Sequence, residues 1–222
     1  GIVGGVYHSI RRQGLNSIGE GMRGVLWCNG SIPSKSVVEW VLSTEAPVFG
    51  VDGGADKARG LGIEVIEVLG DMDSVDESGW KGSTLPLNEQ SFSDLAKSIE
   101  QLMDRGFEEI EIVGADGGDP SHILGNWGSM NDAPAGARIR IHHEEQISTR
   151  IHPDDGEFSA EFEEGEVFSV FAIGTGKVWI SGARWEVDGE NLVLSSRGLH
   201  NEGMGDVVKI KGEGVLLLIS KR

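Results

Sequence analysis

The chain is poor in cysteine, proline and basic residues, and it has no long apolar run. Its 222 residues include one cysteine, Cys28, and six prolines. A single cysteine cannot form an internal disulfide, which argues against an oxidised secreted scaffold and favours a cytoplasmic protein. No apolar stretch approaches the roughly 18 residues that span a bilayer, and residues 1–21 lack the apolar core of a signal peptide. We therefore expect no membrane partner, and we interpret residues 1–21 as an N-terminal extension.

The charge of the chain is strongly acidic. Nineteen Lys and Arg residues against 36 Asp and Glu residues give a formal net charge of -17. A surface of this sign repels nucleic-acid backbones and anionic lipids, and the sequence contains no basic patch that would offset the repulsion. We therefore expect no nucleic-acid partner. An acidic chain can still bind nucleotides when a divalent metal neutralises both its carboxylates and the phosphates.

Residues 22–145 alternate short apolar runs with segments of helical period. The predicted strands are residues 25–28, 48–51, 64–69 and 110–113. The predicted helices are one opened by Pro33, one capped by Ser93 and ended by Gly106, and one from Ser121 to about Met130. This alternation predicts an α/β domain with a mainly parallel sheet and flanking helices, which is a Rossmann-like arrangement.

Residues 146–222 lack the helical period. Short alternating segments, separated by turns that contain glycine and aspartate, predict an all-β sandwich. The predicted strands are residues 158–162, 167–172, 178–180, 185–187, 192–194, 207–210 and 215–219. No low-complexity linker separates the two parts, so we expect an α/β domain at residues 22–145 packed closely against a β-sandwich domain at residues 146–222.

Acidic and glycine-rich motifs follow the predicted strands of the first domain. In an open parallel sheet these strand ends form one crevice where ligands bind, so we expect the motifs to be neighbours. In Gly70-Asp71-Met72-Asp73-Ser74 an extended backbone places Asp71 and Asp73 on the same side. Two carboxylates that face one point repel each other unless a cation lies between them, and Mg²⁺ prefers such oxygen ligands. The alternative is that the two aspartates cap a turn and a helix.

Other motifs are weak signals when taken singly. Asp52 with two following glycines can belong to a metal site or to an ordinary strand-to-helix turn, and Asp94 lies in a first helical turn, where the helix dipole favours a carboxylate. Lys97 can reach a phosphate or point into solvent. Residues 114–118 precede a helix and can present N–H groups to an anion. Neither a Gly-x-Ser-x-Gly motif nor a Gly-x-x-x-x-Gly-Lys-Ser/Thr loop occurs, which excludes those hydrolase and P-loop classes.

The order of the motifs along the chain is more specific than any one of them. In sequence they are Asp52-Gly53-Gly54-Ala55, Gly70-Asp71-Met72-Asp73-Ser74, Glu89-Gln90-Ser91-Phe92-Ser93-Asp94-Leu95, and Gly117-Gly118 with His122 and Asn126. This series resembles the thiamin pyrophosphokinase family, whose pattern is Asp-Gly-Gly-Ala, Gly-Asp-Phe-Asp-Ser, Asp-Gln-x-x-Thr-Asp-Leu and Gly-Gly-Arg-x-Asp-His. Gly182-Ala183-Arg184-Trp185 is similar to the family's Gly-Leu-Lys-Trp, and Leu199-His200-Asn201-Glu202 to its Ser-Asn-Glu. The resemblance covers about residues 24–220.

The resemblance implies an enzyme that transfers the pyrophosphoryl group of ATP to the hydroxyl of thiamine, giving thiamine diphosphate and AMP. It also implies Mg²⁺ as the cofactor and a homodimer in which the β-sandwich completes the thiamine site. The metal ligands that it implies are Asp52, Asp71, Asp73 and Asp94, of which Asp71, Asp73 and Asp94 are also the implied catalytic residues. The implied ATP-binding residues are Asn29, Gly30, Asp52, Gly53, Gly54, Ser74, Ser93, Lys97, Gly117 and Gly118. The implied substrate-binding residues are Gln90, His122, Trp185, His200 and Asn201.

Departures from the family pattern leave the acceptor open. Asp119 and Ser121 stand where the family has Arg and Asp, and His200 replaces a Ser. A pyrophosphokinase acting on another ring-bearing alcohol, such as a hydroxymethylpterin, is therefore an alternative, and so is a nucleotide-binding protein that has lost turnover. Trp185 is our candidate to stack on the cationic thiazolium ring of thiamine. The alternative is that Trp185 is a core residue of the sandwich.

Overall fold

The computed structural model describes residues 21–71, 79–80, 84–87 and 91–222. The predictions for residues 1–20 and for Asp73, Ser74 and Gln90 lie outside the described residues. The helices within this part are α1 (Lys35–Val41), α2 (Gly54–Gly60), α3 (Asp94–Asp104) and α4 (Pro120–Asp132), with 3₁₀ helices at Pro153–Asp155 and Ser196–Gly198. The strands are β1 (Met22–Trp27), β2 (Val48–Val51), β3 (Glu67–Gly70), β4 (Thr84–Pro86), β5 (Phe107–Val113), β6 (Arg138–His142), β7 (Gln146–Ile151), β8 (Phe158–Glu161), β9 (Val167–Ala172), β10 (Gly176–Ser181), β11 (Val187–Leu192), β12 (Asn201–Glu202), β13 (Val207–Gly212) and β14 (Leu216–Lys221).

Ten of these strands form one mixed sheet in the order β12-β9-β14-β7-β6-β5-β1-β2-β3-β4. The pairing is parallel from β6 through β5, β1, β2 and β3 to β4. It is antiparallel from β6 through β7, β14 and β9 to β12. β1 lies between β2 and β5, so the strand order reverses at β1. This reversal places the turns after β1, β2 and β5 around one crevice.

Helices cover both faces of the parallel part of the sheet. Because side chains alternate along a strand, β1 presents Leu26 to one face and Val25 and Trp27 to the other. Leu26 belongs to the core that contains Ile99 of α3, whereas Val25 and Trp27 belong to a separate core that contains Val37 of α1. These two cores hold the strands whose ends carry the candidate site.

The other four strands form a second, antiparallel sheet in the order β11-β10-β13-β8. It packs against the antiparallel end of the large sheet. The core between them contains Val170 and Leu218 from the large sheet and Val178, Ile180 and Val208 from the second sheet. The structure is therefore α/β, with a large mixed sheet followed by a second antiparallel sheet.

One sheet runs through both parts of the chain, which the sequence did not predict. β6 pairs with β5 in parallel and with β7 in antiparallel orientation, so the hydrogen bonding continues from the first part into the second. The predicted boundary between residues 145 and 146 falls in the turn between β6 and β7. The division into two domains at that point stays a prediction.

Two helices of the first part agree with their predictions to different degrees. Helix α3 is confirmed, because the Ser93 side chain accepts a hydrogen bond from Ala96 N at 3.1 Å and Gly106, with φ +89°, follows the last helical turn. Helix α1 begins at Lys35, two residues after Pro33, because Ser34 is its cap and accepts a hydrogen bond from Val37 N.

The two predicted strands at residues 185–187 and 192–194 are wrong, since the structure has one strand there, β11, which runs from Val187 to Leu192. Asp188-Gly189 has the composition of a turn. It lies instead within β11, where Gly189 has φ +66° and the pairing with β10 shifts register, as at a β-bulge. Among the described residues, no helix is long and apolar enough to cross a membrane.

Candidate active site

The turns that follow β1 and β5 are hydrogen-bonded to each other. Gly30 N donates to Gly114 O at 2.7 Å, and Ser31 N donates to Asp116 O at 2.5 Å. Gly117 has φ +74°, and a Cβ at this position would overlap the Ser31 hydroxyl, so only glycine lets the two turns approach this closely. The structure thus brings together two of the turns that were predicted to bind ATP.

Three carboxylates meet at the ends of β2 and β3 and at the start of α3. Asp52 follows β2, Asp71 follows β3, and Asp94 is the first residue of α3. One oxygen from each lies within 4.8 Å of the others. The strand ends predicted that Asp52 and Asp71 would be neighbours, and the family resemblance added Asp94; their positions in the structure agree with both expectations.

Gly70 allows the carboxylate of Asp52 to lie over the end of β3. Its φ is +141°, and a Cβ there would overlap Asp52 Oδ1. The backbone N–H of Asp52 donates to Leu69 O at 3.0 Å, which ties the turn after β2 to the neighbouring strand. The glycine of the Gly-Asp motif therefore has a direct role in bringing Asp52 and Asp71 together.

The donor set of this cluster suits a divalent cation. Three carboxylates this close raise one another's electrostatic energy, and a cation that prefers oxygen ligands removes the repulsion. Asp52, Asp71 and Asp94 therefore fit Mg²⁺. The fourth predicted ligand, Asp73, lies outside the described residues, so its membership stays a prediction.

Lys97 and Ser93 tie the start of α3 to its surroundings. Lys97 Nζ lies 2.7 Å from Asp94 Oδ1 and donates to Leu87 O at 2.8 Å, so this lysine does not simply point into solvent. The hydroxyl of Ser93 also lies 2.7 Å from the hydroxyl of Ser129 in α4. Both predicted ATP-binding residues therefore hold Asp94 and its helix in place.

Cys28 lies at the end of β1, beneath the same crevice. Burial, together with the negative charge of Asp52, raises the pKa of its thiol to about 12. The thiol therefore stays protonated at neutral pH, when the reactive form of cysteine is the thiolate. Cys28 is a packing residue here rather than a nucleophile.

The start of α4 differs from the predicted anion site. Asp119 is its N-cap and accepts hydrogen bonds from the backbone N–H of Ser121, at 2.8 Å, and from the Ser121 hydroxyl. These hydrogen bonds lower the pKa of Asp119, so a negative charge occupies this helix end. His122 is exposed in the same turn, and Asn126 donates to Ala115 O at 2.8 Å, which steadies the glycine loop.

The predicted acceptor residues Trp185, His200 and Asn201 lie together at the β12 edge of the large sheet. Trp185 N donates to Asn201 Oδ1 at 3.1 Å, and Asn201 Nδ2 donates to Trp185 O at 2.7 Å. The Trp185 residue is 53% exposed, so the alternative that it is a core residue is wrong. His200 is exposed, has φ +57° and donates its N–H to Ser169 Oγ. Asn201 thus orients the backbone that presents the Trp185 ring.

A single chain does not bring the acceptor residues to the acidic cluster. Seven strand spacings separate β12 from β2 in the large sheet, which amounts to about 34 Å along the sheet at the usual spacing of roughly 4.8 Å. The structure therefore places the predicted metal and nucleotide residues that it describes at one end of the sheet and the predicted acceptor residues Trp185, His200 and Asn201 at the other. The predicted acceptor residue His122 lies instead in the first turn of α4, next to the glycine loop that follows β5.

Sequence reasoning missed a charged network on β5 and β6. Glu109 and Glu111 lie opposite Arg138 and Arg140 in the register of these parallel strands. The available signal was the alternation of acidic residues in one strand and basic residues in the other. Lys57 of α2 was also missed, because a single lysine in a short helix has no distinctive pattern.

This arrangement of sheets defines a known architecture, that of the solved thiamine pyrophosphokinases, so the resemblance seen in the motifs is confirmed at the level of the fold. The enzyme from Bacillus subtilis is 20% identical, with a TM-score of 0.70 over 90% of this chain and 99% of its own. The enzyme from Candida albicans is 11% identical, with a TM-score of 0.69 over 90% of this chain and 89% of its own. Yeast thiamin pyrophosphokinase is 12% identical, with a TM-score of 0.67 over 91% and 87% of the two chains. No protein-family model matches the sequence, and no curated protein is significantly similar to it.

Proposed function

We propose that the protein is a thiamine diphosphokinase that uses ATP and Mg²⁺. The observation that carries this proposal is the meeting of Asp52, Asp71 and Asp94 at the carboxyl ends of the strands, within the fold of the thiamine pyrophosphokinases. In the reaction the hydroxyl oxygen of thiamine forms a bond to the β-phosphorus of ATP, the bond from that phosphorus to the α-phosphate oxygen breaks, and AMP leaves. The thiamine hydroxyl loses its proton.

The chain's own residues contribute positioning and electrostatics to this reaction. Asp52, Asp71 and Asp94 would hold the Mg²⁺, with Asp73 as a further predicted ligand, and the bound ion would supply positive charge for the phosphoryl oxygens. Lys97 keeps Asp94 oriented, and the joined turns after β1 and β5 provide the backbone surface for the nucleotide. No protein nucleophile is required, which agrees with the protonated thiol of Cys28.

The acceptor site belongs, in this proposal, to the second subunit of a homodimer. The distance along the sheet keeps Trp185 away from the acidic cluster of its own chain, and a partner subunit can supply the ring instead. The β12 edge also exposes large apolar side chains, as surfaces that contact another protein do. They are Val167, Trp185, Leu199 and Met204, each 47% to 56% exposed. A cytoplasmic location stays a prediction.

The proposal is tested by AMP formation from ATP and thiamine in the presence of Mg²⁺. The Asp71→Asn variant should lose at least about 100-fold in turnover, because it removes a charged metal ligand. Asp71 is exposed, so cooperative unfolding should persist. Asp104→Asn is the matched control, since it removes an exposed carboxylate at the far end of α3. Near-normal turnover of Asp71→Asn would remove the metal-site proposal.

The acceptor is tested separately, because Asp119 and Ser121 depart from the family pattern. Thiamine and a hydroxymethylpterin are compared as acceptors under the same conditions. AMP formation with the pterin alone would overturn thiamine as the acceptor while leaving pyrophosphoryl transfer in place. ATP binding without AMP formation from either acceptor would support a nucleotide-binding protein without turnover.

A further inference from the structure

Among the described residues, the candidate crevice has few positive charges for a nucleoside triphosphate. Asp119 stands where the resembling family has an arginine, and its carboxylate caps α4. Lys97 is close to the strand ends, but its charge is paired with Asp94. A phosphate chain bound near Asp52, Asp71 and Asp94 needs a cation besides the metal to offset this excess of carboxylates.

Lys57 supplies such a charge at the turn after β1. It lies in the last turn of the short helix α2, three residues after Gly54 of the Asp52-Gly53-Gly54 motif, and its side chain is half-buried. Its Nζ donates to Asn29 O and to Gly30 O, both at 2.6 Å. These carbonyls belong to the turn that was predicted to bind ATP.

Among the described residues, no acid neutralises the charge of Lys57. Across the described part of the chain, no carboxylate forms an ion pair with this lysine, and its hydrogen-bond partners are the two backbone carbonyls. An ammonium group has three N–H donors, so one remains for a further partner. Carbonyl oxygens alone would repel an anion. With Lys57 bound to them, the turn carries a net positive charge beside the acidic cluster.

We propose that Lys57 is a positioning residue for the nucleotide, which fixes the Asn29-Gly30 turn and makes it electrostatically suited to the phosphate chain of ATP. This inference rests on the proposed function and adds the residue that selects for the phosphates of the nucleotide. Charge-assisted hydrogen bonds of this kind are stronger than neutral ones. Removing the charge of Lys57 should therefore reduce binding affinity most for the most highly charged ligand.

The test measures binding of ATP with Mg²⁺, and of adenosine, by isothermal titration calorimetry. Lys57→Gln keeps hydrogen-bond donors for the two carbonyls but removes the charge, and Lys57→Arg keeps the charge. We expect Lys57→Gln to raise the Kd for ATP about tenfold or more while the Kd for adenosine stays within about twofold, and Lys57→Arg to restore most of the ATP affinity. Lys35→Gln is the control for net charge, since Lys35 is exposed on α1 and, within the described part of the chain, forms an ion pair with the exposed Glu39.

Each other outcome has a definite meaning. Equal weakening of ATP and adenosine in Lys57→Gln would show that Lys57 only maintains the shape of the turn, and unchanged ATP binding would show that its charge has no role; either result overturns the inference. If the wild-type protein binds ATP with the expected dependence on Lys57 but forms no AMP with thiamine, the inference stands and the proposed function fails. If the wild-type protein binds no ATP, both are overturned.

Discussion

At the scale of single residues, Glu111 shows how the fold accommodates a charge inside a sheet. Its side chain is 1% exposed and contacts Arg140, Arg23 and His142, the last with its Nε2 at 2.6 Å. Burial by itself raises the pKa of Glu111, but the hydrogen bond with His142 and the charge of Arg140 outweigh it and hold the pKa well below its usual range. Burial lowers the pKa of His142, so this histidine is neutral at pH 7 and donates to the carboxylate.

Removing the charge of Glu111 should strongly destabilise the protein. We expect Glu111→Gln to lower the free energy of unfolding by about 3 to 5 kcal/mol, because it removes the buried counter-charge of Arg23 and Arg140, whose side chains are only 14% and 18% exposed. Glu109→Gln, on the same strand, breaks the partly exposed pair with Arg138 and should cost only about 0 to 1 kcal/mol. Urea denaturation at pH 7 measures both values. Equal losses would contradict a special role for the buried network.

The pH dependence of stability provides a second readout of the same variant. The ordinary pKa values are 4.5 for the glutamate and 6.5 for the histidine, and folding lowers both. The unfolded chain therefore binds more protons than the folded chain as the pH falls from about 7 towards 3, so the free energy of unfolding decreases over that range. In Glu111→Gln the decrease below about pH 5 should be smaller. A decrease as steep as in the wild type would assign it to other groups.

At the scale of secondary-structure elements, the end of β3 decides whether the acidic cluster can form. Gly70→Ala should reduce Mg²⁺-dependent turnover at least about tenfold and lower stability by about 1 to 3 kcal/mol, because the new Cβ would overlap the Asp52 carboxylate at a positive φ. Gly62→Ala is the matched control, since Gly62 has φ +77° but open space around its Cβ position. Turnover and urea denaturation separate the two effects. Equal turnover in both variants would contradict the role of Gly70.

The sequence predicted elements well where one local signal dominated. The cap at Ser93 and the glycine stop at Gly106 define α3, and alternation defines β9 at the predicted residues. It failed at β11, because a glycine with positive φ inside a strand has the same composition as a turn. The pairing of β6 with β7 was also missed, since a long-range hydrogen-bond register leaves no periodic signal.

The candidate site was also predicted only in part from the sequence. The strand-end argument was enough to predict that Asp52 and Asp71 meet, because parallel strand ends are neighbours in any such sheet, whereas Asp94 was added by the family resemblance. The cap formed by Asp119 and the contacts of Lys57 with two carbonyls depend on exact loop geometry. The spacing of motifs does not predict such geometry, so these features could be identified only from the structure.

At the scale of the whole molecule, the separation of the two clusters makes subunit exchange informative. If the site is shared between subunits, Asp71→Asn and Trp185→Leu damage different halves of it. In randomly mixed dimers of the two variants about a quarter of the sites should contain both intact halves, by the symmetry of the assembly. We therefore expect the mixture to regain up to about a quarter of wild-type turnover at thiamine concentrations where each variant alone is inactive.

Light scattering of the same samples provides the control for this experiment. Dimers at micromolar concentration should accompany the regained turnover. A fully active monomer, or mixed dimers without any recovery, would contradict a site shared between subunits. A mixture of Asp71→Asn with Asp94→Asn should stay inactive, because both changes affect the same half.

The position of β14 in the large sheet has a consequence for how the protein is made. The ribosome synthesises β7 and β9 before β14, yet β14 lies between them and pairs with both. Until β14 emerges, the facing edges of these two strands have open hydrogen-bonding groups beside apolar side chains, which is the condition that favours pairing with other chains. β14 can therefore fill the gap between β7 and β9 only late in synthesis, after the residues of the acidic cluster have already been made.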